Sequence, residues 1–124
     1  MVGVDIVLIS RVYKILNKGR FYNRILNEIE QEYISTKKSA NKVVEADSVA
    51  GFFAAKEAIL KAFGVGITNG YGFKDITIDH DEFGAPVVIL SEKLNKLLKE
   101  KNKSKVNVSI SHDEDYAIAM AVFE

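Results

Sequence analysis

Three charged side chains, Lys56, Glu57 and Lys61, interrupt a segment that otherwise suits burial, GFFAAKEAILKAFG at residues 51–64. Glu57 and Lys61 are four residues apart, so a helix would place the carboxylate and the ammonium on one face. One interpretation is a surface ion pair with a small effect on stability. The other is a carboxylate and an ammonium that point together into a site.

Asp5 is a second carboxylate in an unusual place, the centre of the apolar segment VGVDIV. A carboxylate in a buried strand has to be paired or to bind a cation. Gly3, two residues earlier, leaves the same side of the strand open. Hard oxygen ligands favour Mg²⁺, which takes one or two carboxylates and completes its shell with water and substrate phosphates. We therefore expect Asp5 and Glu57 to hold Mg²⁺ and Lys61 to reach a bound phosphate, an arrangement suited to phosphoryl transfer.

Two further segments bear on phosphate chemistry. The segment GVGITNGYG at residues 64–72 has four glycines, but it follows its helix and lacks the Gly-Lys-Ser/Thr tail of a P-loop, which excludes that motif. In VNVSISH, small polar side chains alternate with Val106, Val108 and Ile110, and we predict that this polar face ends at His112. His112 is either a hydrogen-bonded histidine at a strand end or a group that handles protons or binds phosphate.

The hydrophobic pattern predicts the elements that must position these residues. We expect one α+β domain over residues 1–124, with a long helix that ends at Phe63 and is capped by Asp47 or Ser48. Residues 35–44 are predicted to be a loop. Strands are predicted at 2–7, 74–79, 86–90, 105–112 and 116–123, and further helices at 8–17, 20–34 and 91–103.

The composition bounds the class of protein. The 124 residues include 17 basic and 17 acidic side chains, and the hydrophobic share of 48% is that of a globular protein. The chain has no cysteine, which excludes a disulfide framework, a thiolate zinc site and a cysteine nucleophile. No apolar run approaches the ~18 residues of a membrane span, and the first residues do not have the pattern of a signal peptide. We therefore expect a cytoplasmic protein that does not associate with membranes.

The charges are distributed unevenly along this neutral chain. Between Ile6 and Asn27 there are basic residues and no acidic ones. Such a segment predicts the docking of an acidic partner, and a solvated helix face is the alternative interpretation. Nucleic-acid binding is less favoured, because the run is short and no aromatic RNA-recognition motif accompanies it. The basic residues are Arg11, Lys14, Lys18, Arg20 and Arg24.

Several segments together, and in this order, resemble a known family. They are GVDIV, RFYNRIL, GFFAAKEAILKAFG, FKDITI after the glycine-rich turn, and VSISHDEDYAIA. The set resembles the small holo-acyl-carrier-protein synthases, a family of 4′-phosphopantetheinyl transferases, over nearly the whole chain. The resemblance implies an antiparallel sheet packed against a long central helix. It also implies transfer of 4′-phosphopantetheine from coenzyme A to a serine of apo acyl carrier protein, with release of adenosine 3′,5′-bisphosphate, in fatty acid biosynthesis.

The same resemblance implies roles for individual residues. Asp5 and Glu57 would hold Mg²⁺ on the coenzyme A pyrophosphate, and Lys61 would contact that pyrophosphate and stabilise the developing charge. Gly64 would permit close backbone approach, and His112 would lie in the coenzyme A site. The family is usually a homotrimer with each active site between neighbouring subunits. The residues implied to face the acidic carrier are Arg11, Arg20, Phe21 and Arg24.

Three points stay open from the sequence. The general base is Glu57, Asp5 or a metal-bound water. The family commonly has arginine at the position of Phe52, so a phosphate contact is either lost here or supplied by a nearby lysine. The alternative function is a non-catalytic α+β binding module that recognises an acidic protein through its basic N-terminal helix.

Overall fold

The elements follow one another with short connections. A computed structural model describes residues 1–16, 19–37 and 42–124, with the backbone alone for 42–44. Two short 3₁₀ helices, Ile67–Asn69 and Phe73–Asp75, connect the longest helix to the second strand. In chain order the elements are β1 (Val2–Leu8), α1 (Ile9–Leu16), α2 (Arg20–Ile25), α3 (Glu28–Thr36), α4 (Lys42–Phe63), β2 (Ile76–His80), β3 (Pro86–Leu90), α5 (Glu92–Glu100), β4 (Val106–Asp113) and β5 (Tyr116–Phe123).

The strands form two antiparallel sheets. A three-stranded sheet has the order β1-β5-β4, and β2 pairs with β3 as a hairpin. Asp5 on β1 and Ile110 on β4 both lie opposite Ala119 of the central strand β5. Helix α4 packs on β1, β5 and β4 and also contacts β2. The predicted α+β fold, with antiparallel strands against a long helix, is confirmed.

Small residues let α4 lie close to the three-stranded sheet. Alternate residues of β5 face the helix, and a Cβ added to Gly3 would lie 1.9 Å from the carbonyl oxygen of Ala58. Glycine at this position therefore sets the spacing between β1 and α4. We call the alanine-lined contact the alanine seam; it consists of Ala54, Ala55, Ala58 and Ala62 on α4 and Ala117, Ala119 and Ala121 on β5, all buried.

On β1 and β5, the face of the three-stranded sheet away from α4 is apolar and exposed, whereas β4 carries Asn107, Ser109 and Ser111 on that face. Ile6 is 60% exposed and Met120 is 48% exposed, although strands with one solvated face normally carry polar residues there. A continuous apolar patch of this kind marks an interaction surface. We call it the open sheet face; it consists of Val2, Val4, Ile6, Tyr116, Ile118, Met120 and Val122.

Two predicted helix boundaries are wrong. The helix predicted at 20–34 is two helices, because Asn27 adopts an extended conformation and caps α3 together with Glu30. Helix α4 begins at Lys42, so Asp47 and Ser48 lie inside it and do not cap it. Its buried stripe already includes Ala46, the residue directly before Asp47. The predicted loop at 35–44 is correspondingly shorter, and residues 38–41 lie outside the described part of the chain.

The remaining boundaries shift by a few residues. The strand predicted from residue 74 begins at Ile76, because Asp75 accepts a hydrogen bond from the Gly72 N–H and closes a 3₁₀ turn. Ser91 caps α5 through a hydrogen bond from the Leu94 N–H.

Within the described residues, no helix is both long and apolar enough to span a membrane.

Candidate active site

Asp5, Glu57 and Lys61 come together where β1 crosses α4. Lys61 Nζ donates a 2.8 Å hydrogen bond to Asp5 Oδ1 and lies 3.3 Å from the Val4 carbonyl oxygen. The Lys61 side chain is 54% exposed and that of Asp5 is 15% exposed, so the pair opens to solvent. The hydrogen bond to Asp5 raises the pKa of Lys61, which keeps the ammonium charged.

With Glu57, the site contains two carboxylates and one ammonium, so negative charge is in excess. Burial raises the pKa of Glu57 above its ordinary value, and the neighbouring Asp5 carboxylate raises it further, whereas Lys61 lowers it. Two carboxylates therefore share one ammonium. A further cation at this place would relieve their repulsion.

The donor set at Asp5 and Glu57 fits Mg²⁺, since both groups are hard oxygen ligands. Across residues 1–16, 19–37 and 45–124, no group of three or more His, Asp or Glu side chains could hold a metal. An ion at this site would take its remaining ligands from water and substrate phosphates, which is usual for Mg²⁺.

Gly64 ends α4 directly beyond Lys61. Its φ of +75° lies in the left-handed region, and its N–H donates to the carbonyl oxygen of Leu60. No atom lies within 4 Å of the position that a Cβ would take, so the backbone angle and not crowding requires glycine. The surface next to Lys61 is therefore open.

His112 lies on the opposite face of β4 from the predicted one and at the other end of α4. Its Nε2 donates a 2.9 Å hydrogen bond to the carbonyl oxygen of Asp47, and a Cβ on Gly51 would lie 3.0 Å from that nitrogen. Strict alternation places His112 with Ile110 against the helix, away from the polar side chains of the strand. Asp47 is roughly 15 Å from Glu57 along the axis of α4. Within one chain, His112 does not join the carboxylate cluster.

An aromatic cluster beside His112 was not predicted from the sequence. Tyr33 stacks on His80 with ring centroids 3.9 Å apart, and the edge of Phe52 meets both rings. Phe52 is 3% exposed, and the cluster borders a cavity of about 210 Å³ that His112 and Lys37 also line. The only sequence signal was Phe52 at a position where the family commonly has arginine.

The basic residues are divided between two helices. Arg11 is exposed on α1, Arg20 and Arg24 are exposed on α2, and Lys18 lies outside the described residues. Phe21 is half-buried, with its ring 5.5 Å from that of Phe53. Helix α2 borders an apolar groove of about 600 Å³, which we call the α2 groove; its lining includes Ile15, Arg20, Phe21, Arg24, Phe53 and Phe73.

Comparison with known proteins identifies the family. The family model described as the 4′-phosphopantetheinyl transferase superfamily matches residues 1–121. The chain belongs to this superfamily. The resemblance inferred from the sequence segments is thereby confirmed.

Individual relatives of this transferase are similar over nearly their whole length. The holo-(acyl-carrier-protein) synthase of Caldanaerobacter subterraneus is 40% identical over 122 residues, which cover 98% of this chain and 91% of that protein. The Helicobacter pylori holo-(acyl-carrier-protein) synthase in complex with coenzyme A has a TM-score of 0.82 and 36% identity, with 100% of both chains covered. A Bacillus anthracis holo-(acyl-carrier-protein) synthase in complex with CoA (3′,5′-ADP) has a TM-score of 0.79 and 36% identity, covering 99% of this chain and 94% of that one.

Proposed function

We propose that the chain transfers 4′-phosphopantetheine from coenzyme A to a serine hydroxyl of apo acyl carrier protein. The observation that carries the proposal is the cluster of Asp5, Glu57 and Lys61 in a member of this transferase superfamily. The coenzyme A complexes of the similar Helicobacter pylori and Bacillus anthracis proteins support the choice of donor.

The cluster suits displacement at a pyrophosphate. Asp5 and Glu57 would hold Mg²⁺, which supplies positive charge against the pyrophosphate oxygens. Lys61 is exposed and flexible enough to exchange its hydrogen bond with Asp5 for one with a phosphate oxygen. The serine oxygen forms a bond to the phosphorus that carries pantetheine, and the bond from that phosphorus to the bridging oxygen breaks. Adenosine 3′,5′-bisphosphate leaves with the bridging oxygen, and the serine proton passes to a base.

The basic helices are proposed as the docking surface for the carrier. Arg11, Arg20 and Arg24 are exposed, so they are available to carboxylates of an acidic protein. Phe21 and the α2 groove lie beside them and offer apolar contact. An arginine surface with an apolar centre is the arrangement expected of a protein interface.

The division of the site along α4 supports a shared active site in a homotrimer. The carboxylate cluster lies at one end of the helix and His112 at the other, about 15 Å apart along its axis. The open sheet face provides apolar surface for assembly. In this proposal Gly64 and Lys61 of one subunit, and His112 of a neighbour, contact the same coenzyme A. Residues 1–124 would act as one domain in that assembly, and a cytoplasmic location stays a prediction.

The test is the intact mass of apo acyl carrier protein after incubation with the chain, coenzyme A and Mg²⁺. A gain of one phosphopantetheine that is abolished by EDTA and by Glu57→Gln is the expected result. Glu100→Gln is the matched control, because Glu100 is an exposed glutamate at the end of α5 and should leave transfer unchanged. Binding of the carrier without any mass gain would contradict the proposal and favour the non-catalytic binding module.

A further inference from the structure

Lys56 and Glu30 form a fully buried ion pair. Lys56 Nζ lies 2.6 Å from Glu30 Oε1, and both side chains are 0% exposed. No other charged side chain in the described residues is buried to this degree. A pair of this kind gives little net stability, because the desolvation of both charges offsets their attraction. Its presence therefore indicates a role other than stability alone.

The contacts of the pair meet at the joint between α2 and α3. Glu30 Oε1 also accepts a 2.7 Å hydrogen bond from the Asn27 N–H, and Oε2 accepts one of 2.7 Å from the Ile78 N–H. Lys56 Nζ donates to the carbonyl oxygen of Ile25. One buried cluster of hydrogen bonds thus ties the end of α2 and the start of α3 to both α4 and β2.

The two ends of this tie are next to functional residues. Lys56 directly precedes Glu57, the proposed metal ligand, and Ile25 directly follows Arg24, a proposed carrier contact. Helix α2 has only six residues, too few to hold its own position without tertiary contacts. The hydrogen bond from Lys56 to Ile25 is therefore a short connection between the docking helix and the catalytic helix.

We propose that Lys56 and Glu30 are positioning residues that fix α2 relative to Glu57, so that a docked carrier presents its serine at the carboxylate cluster. This inference rests on the proposed function. Neither side chain reaches a substrate, because both are buried. Loss of the pair would leave α2 free to move, so Arg20 and Arg24 would bind the carrier less tightly and its KM would rise. The proposed coenzyme A contacts lie outside α2 and would stay in place.

The test is the steady-state kinetics of the neutral double variant Lys56→Met/Glu30→Gln. This variant leaves no lone buried charge, and glutamine retains an acceptor for the Ile78 N–H. We expect KM for the apo carrier to rise ~10-fold or more, while KM for coenzyme A stays within about twofold. A merely structural role would not divide the two KM values in this way.

Leu98→Ala is the matched control for reduced stability. Leu98 is buried on α5 and belongs to neither α2 nor its joint with α3. This variant should lower the unfolding midpoint, because it leaves a cavity, and keep the ratio of the two KM values unchanged.

A second variant covers the case in which the double variant does not fold. Asn27→Ala frees the same joint from β2, where Asn27 Nδ2 donates to Ile76 O at 3.0 Å and Thr77 Oγ1 at 2.6 Å. For Asn27→Ala we likewise expect KM for the carrier to rise while KM for coenzyme A stays almost unchanged. An unchanged carrier KM in the variants that fold, or an equal rise in both KM values, would overturn the inference. Absence of transfer by the wild-type chain would instead overturn the proposed function.

Discussion

At the scale of residues, the cluster of Asp5, Glu57 and Lys61 carries more negative than positive charge, which favours the binding of a cation. Asp5 and Glu57 share the ammonium of Lys61, and the pKa of Glu57 is raised by burial and by Asp5. The spacing of four residues between Glu57 and Lys61 was enough to predict that they share a helix face, because helical geometry is local. Their meeting with Asp5 was predicted from its unfavourable place in an apolar strand and from the family resemblance.

Lys61→Met should reduce turnover strongly and leave the free energy of unfolding almost unchanged. An exposed ion pair contributes less than ~1 kcal/mol, so the free energy of unfolding should change little. Turnover should fall ~100-fold or more, because a preorganised cation is lost from the developing phosphate charge. Lys93→Met is a matched control, since Lys93 is also 54% exposed and pairs with Asp75 at 3.7 Å. Denaturant unfolding measures the free energy of unfolding, and the mass gain of the carrier over time measures turnover. Equal turnover in Lys61→Met and Lys93→Met would contradict the proposed role of Lys61.

His80 should make the fold sensitive to acid. Burial lowers the pKa of His80, while Asp79 and Asp81 raise it and Lys37 lowers it, and the buried Nδ1 has no hydrogen-bond partner in the described structure. Because the unfolded chain binds a proton at higher pH than the folded one, stability is lost as pH falls below the ordinary histidine value. His80→Phe should keep the stack on Tyr33 and remove this loss.

The free energy of unfolding, measured by denaturant from about pH 8 to about pH 5, tests this difference. The wild-type chain should lose more stability over that interval than His80→Phe does. Parallel pH profiles for the two proteins would show that His80 does not titrate between the folded and unfolded states.

At the scale of elements, the period of the sequence predicts where strands and helices lie but not where tertiary contacts interrupt them. The break between α2 and α3 depends on Asn27, whose side chain binds Ile76 and Thr77 about fifty positions later. Glu30 and Lys56 likewise meet across 26 residues. Such contacts leave no trace in local periodicity, so the sequence singled out Lys56 as a charge in an apolar segment but did not predict its pairing with Glu30 or the role of Asn27.

Gly3→Ala should separate β1 from α4. The added Cβ would lie 1.9 Å from a backbone oxygen, so no side-chain movement relieves the clash, and the cost should be about 1–3 kcal/mol or more. Transfer should fall as well, since Asp5 lies on the displaced strand. Gly66→Ala is the matched control, because no atom lies within 4 Å of that Cβ and its φ is −165°. Comparable unfolding midpoints for the two variants would contradict this account.

At the scale of the whole molecule, the proposed trimer would bring one end of α4 in one copy together with the other end of α4 in a second copy. The cluster at Glu57 and the histidine at His112 are divided by the length of the helix, and the open sheet face is available for assembly. Sequence reasoning could place these residues on elements. It could not show that one chain leaves them apart, because that depends on where β4 crosses the helix.

Mixing two impaired variants should restore activity if the site is shared. In trimers assembled from equal amounts of Glu57→Gln and His112→Ala, about one site in four pairs an intact Glu57 with an intact His112. Specific activity after co-refolding should exceed that of either variant alone. Adding Ile6→Asp to both variants places a charge on the open sheet face, so it should prevent assembly and abolish the rescue. No rescue in co-refolded trimers would contradict a shared site.

The alanine seam has a consequence for motion. Alanine has no side-chain rotamers, so ordering it costs no side-chain entropy, and the seam has no alternative packing to adopt. We therefore expect the surface from which Asp5 and Glu57 project to keep its arrangement when ligands bind. We expect conformational changes on binding of substrate and carrier to occur in α1, α2 and the connection at 64–75, which lie outside the seam. Amide hydrogen exchange should change there on binding and stay constant along β1 and the centre of α4.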